Sequence, residues 1–105
     1  MRRRDIEEIF DSLTMQYYGD FLDLLEVIVD NLEYLPDDIF MDDASVRFEY
    51  VNKKGDSMQF TLFEGDTRIE CCFMSRYDEA GEYYYEEYTS SEFINDKVRE
   101  LYSKR

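Results

Sequence analysis

Apolar residues along the chain follow two different periods, and the change between them divides it. From Asp5 to Thr14, Ile6, Ile9, Phe10 and Leu13 fall at the three- and four-residue spacing of a helix face. Asp5 is expected to cap this helix, with Glu7 and Glu8 near the positive end of its dipole. The stretch Met15 to Gly19 interrupts the pattern. A second helix is predicted from about Asp20 to Tyr34. There Phe21, Leu22, Leu24, Leu25, Ile28, Val29, Leu32 and Leu35 share one broad arc, and Asp23, Glu26, Asp30 and Glu33 gather opposite. Pro36 ends it. Residues 36–44 read as an acidic loop, with Ile39, Phe40 and Met41 as its anchors to the core.

From Ser45 the period becomes two. Val46, Phe48 and Tyr50 alternate with Arg47 and Glu49, and Met58, Phe60 and Leu62 with Gln59 and Thr61. Ile69, Cys71 and Phe73 predict a third strand, and Tyr83 to Tyr88 a fourth. Turn residues around Gly55, Gly65 and Gly81 separate them, as a meander of hairpins requires. A last helix is expected from Ser91 to about Lys104, capped by Ser90 or Ser91, with Phe93, Ile94, Val98, Leu101 and Tyr102 on its apolar face. The predicted class is therefore α+β: two N-terminal helices, a four-stranded antiparallel β-meander and a C-terminal helix, with the helices on one face of the sheet.

A length of 105 residues suits one domain, expected to span 1–105, with a helical part (1–35), the loop (36–44), the sheet (45–89) and the final helix (90–105). Charged residues make up 36% of the chain, but 8 Phe and 10 Tyr argue for a folded core over disorder. Cys71 and Cys72 are neighbours whose side chains would point to opposite faces of a strand, so a mutual bridge is geometrically poor. Free thiols suit a reducing, cytoplasmic setting. No leader is expected, because acids follow Arg2, Arg3 and Arg4, and no apolar run is long enough to span a membrane.

Charge alters this picture most. With 26 acidic and 12 basic side chains the net charge is −14, beyond the roughly 2–8 that solubility asks of a small domain. The excess is also polarised along the chain. Between Asp5 and Val46 there are 13 acids and no Lys or Arg, whereas residues 47–105 hold 13 acids and 9 basic residues. Asp23, Glu26, Asp30 and Glu33 would form a stripe about 15 Å long, at about 1.5 Å per residue. Its spacing is comparable with that of phosphates along a nucleic-acid strand. Asp37, Asp38, Asp42 and Asp43 would extend it past the helix.

Two readings of the stripe stand beside each other. A wet helix face carries charge as a matter of course. Yet wet faces commonly mix signs, because like charges four residues apart destabilise a helix. A basic partner surface explains an unrelieved acidic stripe, and so does a proteome adapted to high salt. A second cluster, Glu79 to Tyr88, brings tyrosines beside carboxylates. Tyr84, Glu86 and Tyr88 would share one face and receive arginine by charge pairing and stacking, although tyrosine also simply suits a half-buried strand.

The residue inventory is poor in catalytic chemistry. Histidine is absent, which removes the commonest general base and transition-metal ligand. There is no glycine-rich phosphate loop and no cysteine spacing for zinc, and the Asp37–Asp43 segment lacks the ligand order of a calcium loop. No cofactor, no metal and no enzymatic activity are expected, and direct binding to nucleic acid or anionic lipid would be opposed by charge.

In length, acidity, lack of His and Trp, and the acidic stripe from Asp23 to Asp43, the chain resembles small acidic phage proteins that inhibit bacterial defence nucleases, among them anti-CRISPR and nucleic-acid-mimicking anti-restriction proteins. The resemblance is one of character over the whole chain. It implies a non-enzymatic inhibitor in the host bacterial cytoplasm whose partner is a basic nucleic-acid-binding protein such as a CRISPR effector nuclease. No residue role carries over from such proteins; from the acidic stripe and the tyrosine cluster themselves, Asp23, Glu26, Asp30, Glu33, Asp37, Asp38, Asp42, Asp43, Tyr84 and Glu86 are expected to meet the partner. The competing expectation is an acidic immunity, antitoxin or regulatory protein that binds a basic partner through the aromatic and acidic sheet face.

Overall fold

A computed structural model of the chain describes residues 3–17, 19–66, 68–76, 81–86 and 90–103, with only the backbone at 3–6, 85 and 86. Its elements run α1 (Arg3–Gln16), α2 (Asp20–Asp30), β1 (Asp38–Met41), β2 (Ser45–Val51), β3 (Ser57–Phe63), β4 (Ile69–Met74), β5 (Glu82–Glu86) and α3 (Ser91–Ser103). The strands form one antiparallel sheet in the order β1-β2-β3-β4-β5, each paired with its sequence neighbours. The class is α+β, as the periods predict, with the helices where they were expected and one more strand than expected.

The period-two segments pair in register, so alternate residues face the same way. Val46, Phe48 and Tyr50 of β2, Met58, Phe60 and Leu62 of β3, and Ile69 and Cys71 of β4 point to one face and are buried. Onto this inner face pack Leu13 of α1 and Tyr17 just after it, then Phe21, Leu25, Ile28 and Val29 of α2, then Ile94, Val98 and Leu101 of α3. Phe60 centres the core, with edge-to-face contacts to Tyr50 at 5.8 Å and to Phe93 of α3 at 6.2 Å. No described helix is long and apolar enough to cross a membrane.

Three boundaries depart from the sequence reading. First, α1 begins at Arg3, so Asp5 lies inside the helix and does not cap it. Second, α2 stops at Asp30, four residues before Tyr34. Asn31 turns its Nδ2 back to the Val27 carbonyl at 2.7 Å, and Asn95 of α3 binds the Asn31 carbonyl and the Glu33 N–H at 3.1 and 2.8 Å. Those bonds satisfy the helix end from outside, so another turn gains nothing. Third, the expected loop 36–44 contains β1. Ile39 pairs with Phe48 and Met41 with Val46 on the inner face, while Phe40 pairs with Arg47 on the outer one. Only Ile39 packs against the core; Phe40 and Met41 are exposed.

The remaining connections follow local chemistry. Gly19, at φ 76, reverses the chain between α1 and α2, and its carbonyl accepts the Asp23 N–H at 3.1 Å. Ser90 caps α3, its Oγ accepting the Phe93 N–H at 3.2 Å. Cys71 and Cys72 are free and face opposite ways, Cys71 into the core. Of the turn expected at Asp78–Glu82, residues 78–80 lie outside the described residues, as do Glu79, Glu87 and Tyr88 of the tyrosine cluster.

Candidate acidic partner-binding face

Helix α2 buries one side and turns the other to water, and the acidic positions fall on the wet side. Asp23 and Asp30 are exposed and Glu26 is half-buried. The three line a shallow groove of about 530 Å³ together with Val27 and Phe10 of α1. Val27 is 60% exposed, lying between Asp23 and Asp30 on the helix surface, so the groove floor is apolar and its rim is acidic. Among the described residues, no Lys or Arg forms an ion pair with Asp23, Glu26 or Asp30.

Glu33 belongs to a different environment. It follows the helix end, and Arg99 of α3 holds its carboxylate with Nε 2.6 Å from Oε2 while Nη1 reaches Asp96 at 2.7 Å. The fourth member of the expected stripe is therefore off the helix and paired within the chain, by an arginine it shares with Asp96.

Of the other four acids, Asp38 opens β1 and Asp37, Asp42 and Asp43 flank it; none of them lines the α2 groove. Asp37 accepts the Val51 N–H on Oδ2 at 2.7 Å, and Asp38 accepts the Ile39 N–H at 2.9 Å. Both line a second groove, of about 460 Å³, against Glu8, Ile9 and Ser12 of α1. Asp42 and Asp43 lie past the other end of β1, where Asp42 Oδ1 accepts the Asp43 N–H at 2.8 Å. The Tyr17 hydroxyl is bonded to the carbonyls of Asp42 and Ser45. Burial pushes its pKa up, a rise that Asp42, Glu64 and Asp43 reinforce by charge.

Tyr84 faces inward, opposite Cys71, and the Lys97 ammonium of α3 lies 4.4 Å from its ring centroid. Its hydroxyl donates to Glu82 Oε2 at 2.8 Å, and that bond, ahead of the charge of Glu82, raises its pKa. The cation expected from a partner is supplied by the chain's own α3. Glu86 ends β5 opposite Ile69.

Sequence reasoning missed four contributors. Val27 and Phe10 give the acidic groove an apolar floor, and Val27 could have been found from its place on the helical wheel. Arg99 lies 66 positions from Glu33, and no spacing rule links them. Tyr83, 59% exposed, takes the outward position that had been given to Tyr84. Among the described residues, no group of three or more Asp, Glu or Cys side chains could hold a metal ion.

These features define an α+β chain with a bare acidic helix face on the helical side of an antiparallel meander. Comparison with protein-family models, curated proteins and solved structures finds no match.

Proposed function

We propose that the protein is a non-enzymatic acidic inhibitor whose α2 face occupies the basic nucleic-acid site of a partner protein, in the manner of a nucleic-acid mimic. The observation that carries this reading is the trio Asp23, Glu26 and Asp30, grouped on one helix face with no basic partner among the described residues. Like charges at three- and four-residue spacing oppose helix stability, so their cost is offset when a partner supplies the missing cations. A groove of Lys and Arg built for DNA or RNA supplies them, drawing on the long-range attraction and counterion release that nucleic acid uses. Bacterial defence nucleases, CRISPR effectors among them, are the partner class that the resemblance in character suggests. Glu33 and Tyr84 take no leading part, since Arg99 and Lys97 already engage them.

The test is an affinity pulldown from bacterial lysate at low and high salt, with the retained proteins identified and competed with duplex DNA. The expected captives are basic DNA- or RNA-handling proteins, released by DNA and by raising salt from about 50 to about 200 mM, over which phosphate-type contacts weaken by orders of magnitude. A D23K/E26K/D30K chain should lose them while keeping its fold. If that triple variant retains the same proteins, the mimicry reading is wrong.

A further inference from the structure

The core and its helices lie against the inner face of the sheet, and the outer face departs from the polar surface that a one-sided antiparallel sheet normally turns to water. Its positions include Phe40, Val51, Phe63, Cys72, Met74 and Tyr83. Phe40, Val51 and Phe63 are 40%, 38% and 37% exposed, and Tyr83 59%. The cross-strand register places two carboxylates among them. Glu49 stands in the row Asp38, Glu49, Gln59, Cys72, Tyr83, and Glu70 in the next row, Phe40, Arg47, Thr61, Glu70. The two lie diagonally on either side of β3, about 12 Å apart across two strand spacings and one row.

Among the described residues, the two glutamates of this face are not paired internally. Its cations are engaged away from the two glutamates: the Arg47 guanidinium is turned to the edge, 4.7 Å from the Phe40 ring centroid, and Arg68, which lines a groove with Phe63 and Glu70, is paired with Asp66 at 3.1 Å. Glu49 accepts a hydrogen bond from Gln59 at 2.7 Å, a neutral donor. Among the described residues no Lys or Arg pairs with Glu49 or Glu70. Among the described residues the surface is thus apolar on two sides, with two carboxylates between that no cation pairs.

We propose that the outer sheet face is a docking surface for a second protein, through a segment that presents an arginine or lysine flanked by apolar side chains. The cation would sit over β3 between Glu49 and Glu70, and the apolar groups would cover Phe63 on one side and Cys72 and Tyr83 on the other. A second copy of this chain does not fit: it would bring together two bodies each of net charge −14 and set glutamates against glutamates. The face lies on the far side of the sheet from α2, so a partner held by the acidic helix leaves it open. The two surfaces are independent.

The test uses the ¹⁵N-labelled full chain and a short synthetic peptide with one central arginine between leucines and valines. Titration is expected to move the amide signals of Thr61, Glu70 and Cys72 and to leave those of Asp23 to Asp30 in place. Glu70→Lys should weaken the peptide about tenfold, and Thr61→Lys, which puts a cation where the peptide's own would sit, should do the same. A peptide with glutamate in place of the arginine should then bind the Glu70→Lys chain better than the parent. The D23K/E26K/D30K chain should bind the arginine peptide as the parent does, which separates this surface from the acidic helix. No binding, signals that move only on α2, or undiminished affinity in both lysine variants would overturn the proposal.

Discussion

Arg99 and Glu33, one on α3 and the other just beyond α2, are joined by a 2.6 Å contact between Nε and Oε2. Both are partly exposed, so the pair adds little to stability. Its consequence is electrostatic: a carboxylate that continues the acidic helix in sequence is already paired in space, through an arginine shared with Asp96.

The acids near α2 should therefore contribute unequally to partner binding. Asp30→Lys is expected to weaken binding about tenfold or more and Glu33→Lys by no more than about threefold, since one removes an unpaired charge and the other a paired one. Arg99→Ala should act in reverse, freeing Glu33 and tightening binding. Titration calorimetry of the three variants against a captured partner checks the order. Equal losses at Asp30 and Glu33 would show that the internal pair opens on binding.

The two cysteines should react very differently although they are neighbours. Cys71 is fully buried, and desolvation pushes its thiol up to about 12, so it presents neither access nor thiolate near neutral pH. Cys72 is half-buried on the outer face. One equivalent of a thiol reagent is expected to label the native chain at pH 8, at Cys72, and a second only after denaturation. Mass spectrometry of the labelled peptides reads the outcome directly.

Much of the fold was legible because its periods are unbroken. The alternation from Val46 to Tyr50 and from Met58 to Leu62 announces strands with one buried face, and the structure buries those residues. The segment Ile39-Phe40-Met41 was not legible as a strand. Three apolar residues in a row carry no alternation, and their two-sidedness appears only when β2 pairs with them. The run of three tyrosines at 83–85 has the same ambiguity. Which of them faces α3 is fixed by the pairing of Tyr84 with Cys71, a register set between strands. The candidate site was legible only as far as helix periodicity reaches: Asp23, Glu26 and Asp30 share the groove, but Asn95 and Arg99 of α3 determine where α2 ends and what becomes of Glu33.

Acid should weaken the fold partly through Asp56. Its carboxylate accepts the Arg76 N–H at 2.9 Å and a bond from Asn52, and these, the Arg76 bond first, hold its pKa below the ordinary aspartate value. A carboxyl whose pKa is lower folded than unfolded adds stability that is complete above the unfolded value, near 4, and is lost as pH falls through the folded value. Asp56→Asn should therefore lower Tm at pH 7, and the gap to the parent should shrink as pH drops from about 5 towards 2. A gap independent of pH would assign the loss to shape and not to charge.

Asn52 ties three parts of the chain together, and its removal should be felt at a distance. Its Oδ1 accepts the N–H groups of Lys54 and Asp56, both at 3.0 Å, which closes the β2–β3 turn around Gly55. Its Nδ2 donates to the Leu101 carbonyl at 3.1 Å, near the end of α3, and to Asp56 Oδ2 at 3.3 Å. The residue is only 9% exposed, so water cannot readily replace these bonds. Asn52→Ala leaves two turn donors and a helix-end carbonyl short of a partner, at a cost of about 2–3 kcal/mol. That is roughly a 10–20 °C fall in Tm for a domain of this size. Asn52→Asp keeps the acceptor that closes the turn but loses the donor to Leu101 and sets a second carboxylate beside Asp56. It should therefore retain the turn while loosening α3. Urea unfolding gives the overall loss, and hydrogen exchange separates the two effects: Asn52→Ala should speed exchange in both the turn and the last turn of α3, and Asn52→Asp mainly in α3. Faster exchange in the turn alone would mean that α3 is held by its apolar face, and that the bond from Asn52 to Leu101 only fills a vacancy.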